Sequence, residues 1–91
     1  MSYAIQFSEQ ANKSIAIYKK NNPAMFRKLS KLLAEISEHP RHGTGHPEPL
    51  TNGKNIRYSR RISASDRIIY DIYDETVLVI ILSVGGHYSD K

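Results

Sequence analysis

The alternation of apolar and polar positions predicts, in order, one strand, two helices and three further strands. Tyr3, Ile5 and Phe7 alternate with Ala4 and Gln6, the period-2 signature of a half-buried strand. Ser8 then offers a side-chain oxygen to the free amides of a helix start, and Glu9 sits in the first turn, where the helix dipole favours an acid. Ala11, Ile15 and Tyr18 recur at helical spacing, with Lys19 and Lys20 in the last turn. Asn22 and Pro23 open a second helix, because Asn caps well and a proline in the first turn gives up an amide that has no helical partner. Phe26, Leu29, Leu32, Leu33 and Ile36 form its apolar stripe; Arg27, Lys28, Lys31, Glu35 and Glu38 take the other faces, and Pro40 stops it at or before His39. A turn of about three residues between the helices would make an antiparallel helix hairpin.

Residues 40–55, PRHGTGHPEPLTNGKN, hold three prolines and three glycines and read as a loop. Ile56 to Ser63 reads as a strand with Ile56, Tyr58, Arg60 and Ile62 on one face and Arg57, Ser59 and Arg61 on the other. Arg60 and Arg61 therefore cannot line the same cleft; Arg61 is assigned to the cleft, and Arg60 to helix ends or a protein partner. Ala64, Ser65 and Asp66 turn the chain into a strand over residues 67–73 (RIIYDIY), and Asp74 and Glu75 make a second tight turn. Residues 77–84 (VLVIILSV) lack alternation, which predicts a central strand covered on both faces until Gly85 and Gly86 break it. The order implies a single α+β domain over residues 1–91, with the helix hairpin packed on one sheet face and the last three strands antiparallel.

Apolar residues at 40% and charged residues at 24% fit a soluble globular domain, and no apolar run approaches the ~18 residues of a membrane span. The start MSYAIQFSEQ lacks the basic and apolar segments of a secretory signal, so a cytoplasmic protein is expected. With no cysteine there is no disulfide framework, zinc knuckle or thiol nucleophile. His39, His42 and His46 share a loop but have no accompanying cysteine, and no metal is assigned to them. Charge changes the picture more. The net charge is +4, and residues 41–67 alone carry Arg41, Lys54, Arg57, Arg60, Arg61 and Arg67 against only Glu48 and Asp66. The basic excess is concentrated in that third of the chain, as expected for a polyanionic or acidic partner.

Three positions there and beyond carry chemistry: Glu48 between two prolines, Arg67 at a strand start, and His87 just past the glycine break. A carboxylate and an imidazole can move protons near neutral pH, and a guanidinium holds phosphate oxygens bidentately. The set suits RNA cleavage without metal or cofactor. The neighbouring 2′-hydroxyl is an internal nucleophile, so an enzyme has only to deprotonate it, stabilise the charged phosphorus and protonate the departing 5′-oxygen. The same residues also fit an inert surface, with Arg67 paired to Asp66, Asp71 or Glu75.

The stretches HPEPL, YSRRIS, DRIIYDI and GHYSDK, in this order and at these separations, resemble the Txe/YoeB branch of the RelE toxin superfamily. The resemblance implies a ribosome-associated messenger RNA endonuclease held inactive by an antitoxin of the Phd/YefM type. It implies Glu48 as general base, Arg67 as phosphate-stabilising residue and His87 as general acid, with Arg61 and Tyr88 at further active-site positions. Thr51 stands where the family often has a lysine, which makes Lys54 the candidate replacement, and Arg57 extends the expected RNA-binding face. Three residues follow the His-Tyr pair, so a role that needs a free carboxylate at Tyr88 is in doubt. Self-association into a homodimer stays open. So do two other classes: a non-catalytic RNA- or ribosome-binding module, and a co-repressor subunit acting with a DNA-binding antitoxin.

Overall fold

The computed structural model describes residues 2–50 and 56–86. The elements are β1 (Ala4–Phe7), α1 (Glu9–Asn21), α2 (Pro23–Glu38), β2 (Glu48–Pro49), β3 (Arg57–Arg61), β4 (Arg67–Tyr73) and β5 (Leu78–Gly85). They form a five-stranded sheet in the order β1-β5-β4-β3-β2, in which β1 runs parallel to β5 and all other neighbours are antiparallel. No helix among the described residues is long and apolar enough to cross a membrane.

Both helix starts follow the capping chemistry read from the sequence. The Ser8 hydroxyl accepts the Ala11 amide at 3.0 Å and donates to the Leu82 carbonyl at 2.7 Å, so a single side chain caps α1 and fastens it to β5. The expected three-residue turn between the helices is instead Asn22 alone. Its amide donates to the Tyr18 carbonyl at 2.8 Å and its side chain accepts the Met25 amide at 3.3 Å, which closes one helix and opens the next. Pro23 at the first helical position makes so short a junction feasible.

The core lies between the helices and one face of the sheet. Ala11, Leu29, Leu32 and Ile36 meet Ile62, Ile68, Tyr70, Ile72, Val79, Ile81 and Val84. Even-numbered β4 residues thus face the helices, and Arg67, Ile69, Asp71 and Tyr73 face away.

Cover on both faces of β5 is not observed. The strand does lie between β1 and β4, but Val79, Ile81 and Val84 are buried under the helices while Ile80, Leu82 and Ser83 are only half-buried on the face without helices. Leu82 is the extra residue of a β-bulge: Ile69 pairs with Ser83, the next residue Tyr70 with Ile81. The strand begins at Leu78 rather than Val77, because Val77 turns at φ 51°, outside the extended region. The 40–55 loop likewise contains the two-residue strand β2. Its Pro49 is tolerated because β2 is the sheet edge, where the missing amide breaks no ladder bond.

Candidate active site

Glu48 is placed by strand pairing. Glu48 stands opposite Ser59 and Pro49 opposite Tyr58, and the Leu50 amide continues the ladder to the Arg57 carbonyl at 2.9 Å. Residues directly opposite in an antiparallel ladder share a face. The next ladder pairs Ser59 with Ile69 and Arg61 with Arg67. Glu48, Arg61 and Arg67 therefore share the sheet face that the helices leave open. β2 and β4 lie two strand spacings, about 10 Å, apart across β3.

The side chains on this face fall into two groups. Arg57 is engaged: its Nε donates to Asp71 Oδ1 at 2.7 Å and its Nη2 to Oδ2 at 3.0 Å, a fork on a carboxylate that is only 8% exposed. Asp71 is taken by Arg57, not by Arg67, and Asp66 accepts the Ser63 hydroxyl at 2.8 Å and the Tyr18 hydroxyl at 3.3 Å. The other group is uncommitted. Arg67 makes one long contact, Nη1 to Ser59 Oγ at 3.4 Å, and among the described residues Glu48 and Arg61 make no side-chain hydrogen bond or ion pair. Two guanidinium groups directly opposite each other repel, and an anion between them relieves the repulsion.

Arg60 points the other way, as its place in the alternation requires, and is completely buried. It donates to Glu35 Oε1 at 2.9 Å and to the carbonyls of His39 and His42 at 3.0 and 2.8 Å, so it meets the end of α2 as expected. Next to it the Tyr70 hydroxyl donates to the Pro40 carbonyl at 2.7 Å; burial pushes the Tyr70 phenol above its ordinary range, and Arg60 opposes that shift. At the far end of the sheet, hydrogen bonds from Arg41 and then Tyr3 hold the Asp74 carboxyl below its ordinary range.

A cleft of about 450 Å³ lies beside Arg61, floored by Leu32, Ile62 and Ala64 and rimmed by Lys28 and Lys31 of α2. Those lysines extend the positive field of Arg61 toward the helices, a continuity hidden in the sequence because it joins elements some 30 residues apart. Of the other expected contacts, His87, Tyr88 and Lys54 lie outside the described residues, as does Thr51, where the family's lysine is missing. Among the described residues, no three His, Cys, Asp or Glu side chains group as a metal site would need.

Comparison with known proteins gives consistent matches. A family described as the YoeB-like toxin of bacterial type II toxin-antitoxin systems matches residues 7–88. Toxin YoeB of Synechocystis sp. is 31% identical over 84 residues, which cover 92% of this chain and 95% of that protein. The mRNA interferase toxin RelE of Escherichia coli is 29% identical, with 93% of this chain and 83% of RelE covered. Among solved structures, a YoeB-YefM complex from Staphylococcus aureus matches with a TM-score of 0.81 at 32% identity, over 97% of this chain and 100% of that one.

Proposed function

The chain belongs to the YoeB-like toxins of bacterial type II toxin-antitoxin systems, and from that premise we propose that it is a metal-independent endoribonuclease acting on messenger RNA at the ribosome. Glu48 takes the proton of the 2′-hydroxyl beside the scissile linkage as the 2′-oxygen attacks phosphorus. Arg67, assisted by Arg61, neutralises the charge that builds on the non-bridging oxygens. His87 gives a proton to the departing 5′-oxygen. The products are a 2′,3′-cyclic phosphate and a 5′-hydroxyl. Each proton transfer contributes roughly 10² to 10⁴ in rate, and alignment of the internal nucleophile supplies much of the rest. The nucleophile is the substrate's own hydroxyl, so no metal is needed to generate one.

One observation carries this reading. The paired registers set the uncommitted side chains of Glu48, Arg61 and Arg67 on a single open face, while the neighbouring arginines 57 and 60 are bound within the protein. His87 follows Gly85 by two residues, and Gly85 is the register partner of Arg67. Tyr88 would stack on an exposed base, Lys54 would hold a flanking phosphate, Arg57 would add positive charge beside it while forked onto Asp71, and an antitoxin of the Phd/YefM type would occupy the basic face. The YefM chain in the matched Staphylococcus aureus complex and the name mRNA interferase of the RelE relative support these assignments.

The test is a translated messenger RNA cut by the purified protein. Cyclic phosphate ends, and loss of the cut when its 2′-hydroxyl is O-methylated, are expected. Undiminished cutting of the methylated site would refute the internal-nucleophile chemistry.

A further inference from the structure

We infer that Glu35 and Arg60 form a clamp, buried at its Arg60 end, that positions the Glu48 carboxylate, an assignment that rests on the reading of Glu48 as the base. Neither residue touches the open face.

The clamp is built around a guanidinium with no exposure to solvent. Apart from a 3.4 Å contact with the Tyr70 hydroxyl, all of its hydrogen bonds run to residues 35–42. Three of the acceptors are backbone carbonyls at and beyond the C-terminus of α2, the negative end of the helix dipole. No basic residue lies in the last turn of α2, so β3 supplies the cation that the helix itself lacks. Glu35 completes the arrangement. Besides Arg60 it accepts the Thr44 amide at 2.9 Å and the Thr44 hydroxyl at 3.3 Å.

The chain between the clamp and Glu48 takes a glycine-favouring backbone at two points, and at the second it also runs too close to the β3 backbone for a side chain. Gly43 has φ 121°, and a Cβ there would lie 2.7 Å from the Glu35 carboxyl carbon. Gly45 has φ 89°, and a Cβ there would lie 2.5 Å from the Arg61 carbonyl oxygen and 2.8 Å from Arg60 Cγ. The Gly45 carbonyl then accepts the Arg61 amide at 2.6 Å, three residues before Glu48. Residues 39–45 are thus fixed to α2 and β3 together, and the register of β2 is set before the strand begins.

With the Glu35 side chain 32% exposed, the ion pair itself adds little stability, and a well-packed apolar pair could do as well. What an apolar pair cannot do is hold three loop carbonyls and a loop amide in one arrangement. Lysine is no substitute for Arg60, because one ammonium cannot reach the same set of acceptors in a fixed fork.

The experiment is a double-mutant cycle with Arg60→Lys, Glu35→Gln and Glu48→Gln, read as the single-turnover rate constant at saturating ribosome-bound messenger RNA. Circular dichroism checks folding. Arg60→Lys and Glu35→Gln are each expected to slow this rate constant roughly tenfold or more, with half-saturation within about threefold of wild type. Added to Glu48→Gln, each is expected to cost little further, because the group it positions is already gone. A full rate in both variants, a loss confined to half-saturation, or losses that multiply in the double mutants would overturn the clamp. If Arg60→Lys fails to fold, the cycle through Glu35→Gln decides alone. A full rate in Glu48→Gln by itself would instead remove the base assignment, a different failure with a different signature.

Discussion

Arg61 stands directly across the β3-β4 ladder from Arg67, and among the described residues neither forms an ion pair. Like charges in that position destabilise a sheet, so the pair is suited to a bound anion rather than to the folded protein alone. Arg61→Ala and Arg67→Ala should each leave folding intact, lower RNA cleavage at least about tenfold, and reduce the slope of log affinity against log salt by about 0.7 for single-stranded RNA. Cleavage kinetics and a salt titration check this, and an unchanged slope in both variants would contradict it.

Arg57→Ala should behave differently although Arg57 shares that face. Its guanidinium is forked onto Asp71, and the variant leaves that carboxylate, 8% exposed, with the Tyr73 hydroxyl at 3.3 Å as its remaining polar side-chain contact among the described residues. A loss of about 1–3 kcal/mol in stability is expected, with a smaller drop in cleavage than for Arg61→Ala. Urea unfolding beside the same cleavage assay separates the two effects.

Arg57 and Arg61 show where sequence reading stops. Strand alternation puts both on one face and sends Arg60 to the other, and the structure agrees. Which of the two is free depends on Asp71 lying opposite Arg57, a cross-strand register that neither segment specifies alone. The same limit explains β2. A Pro-Glu-Pro segment reads as loop because its strand character comes wholly from pairing with Ser59 and Tyr58. Glu35 was legible as a helix-surface acid and no more, since its partners lie at residues 44 and 60; its one local sign is the three-residue spacing from Leu32, at the border of the buried stripe. The caps at Ser8 and Asn22 were fully legible because their chemistry is local.

Alkaline pH should expose the cost of burying Tyr70. Its phenol is raised above the ordinary 10.0, chiefly by burial. The neutral form is therefore favoured in the folded state, and its contribution is fully present below the ordinary value and lost as pH rises through the folded one. Tyr70→Phe should cost about 1 kcal/mol at neutral pH through its lost bond to the Pro40 carbonyl. It should also flatten the decline in stability above pH about 10, measured by urea unfolding across that range. An identical alkaline slope in both proteins would contradict the assignment.

Asp74 gives the opposite sign. Hydrogen bonds from Arg41 and Tyr3 hold its carboxyl below the ordinary 3.8, so its contribution is present above that value and lost as pH falls through the lowered one. The Asp74 side chain is 56% exposed, so Asp74→Asn should cost under about 1 kcal/mol, less at high salt, and should reduce the acid limb of the stability profile.

The most direct measurement is the single-turnover rate of cleavage of ribosome-bound messenger RNA by Glu48→Gln, with its fold verified by circular dichroism. A loss of at least about tenfold relative to wild type is expected, because the amide cannot take the 2′-hydroxyl proton. A folded Glu48→Gln protein that cuts at the wild-type rate would show that the open-face carboxylate is not the base.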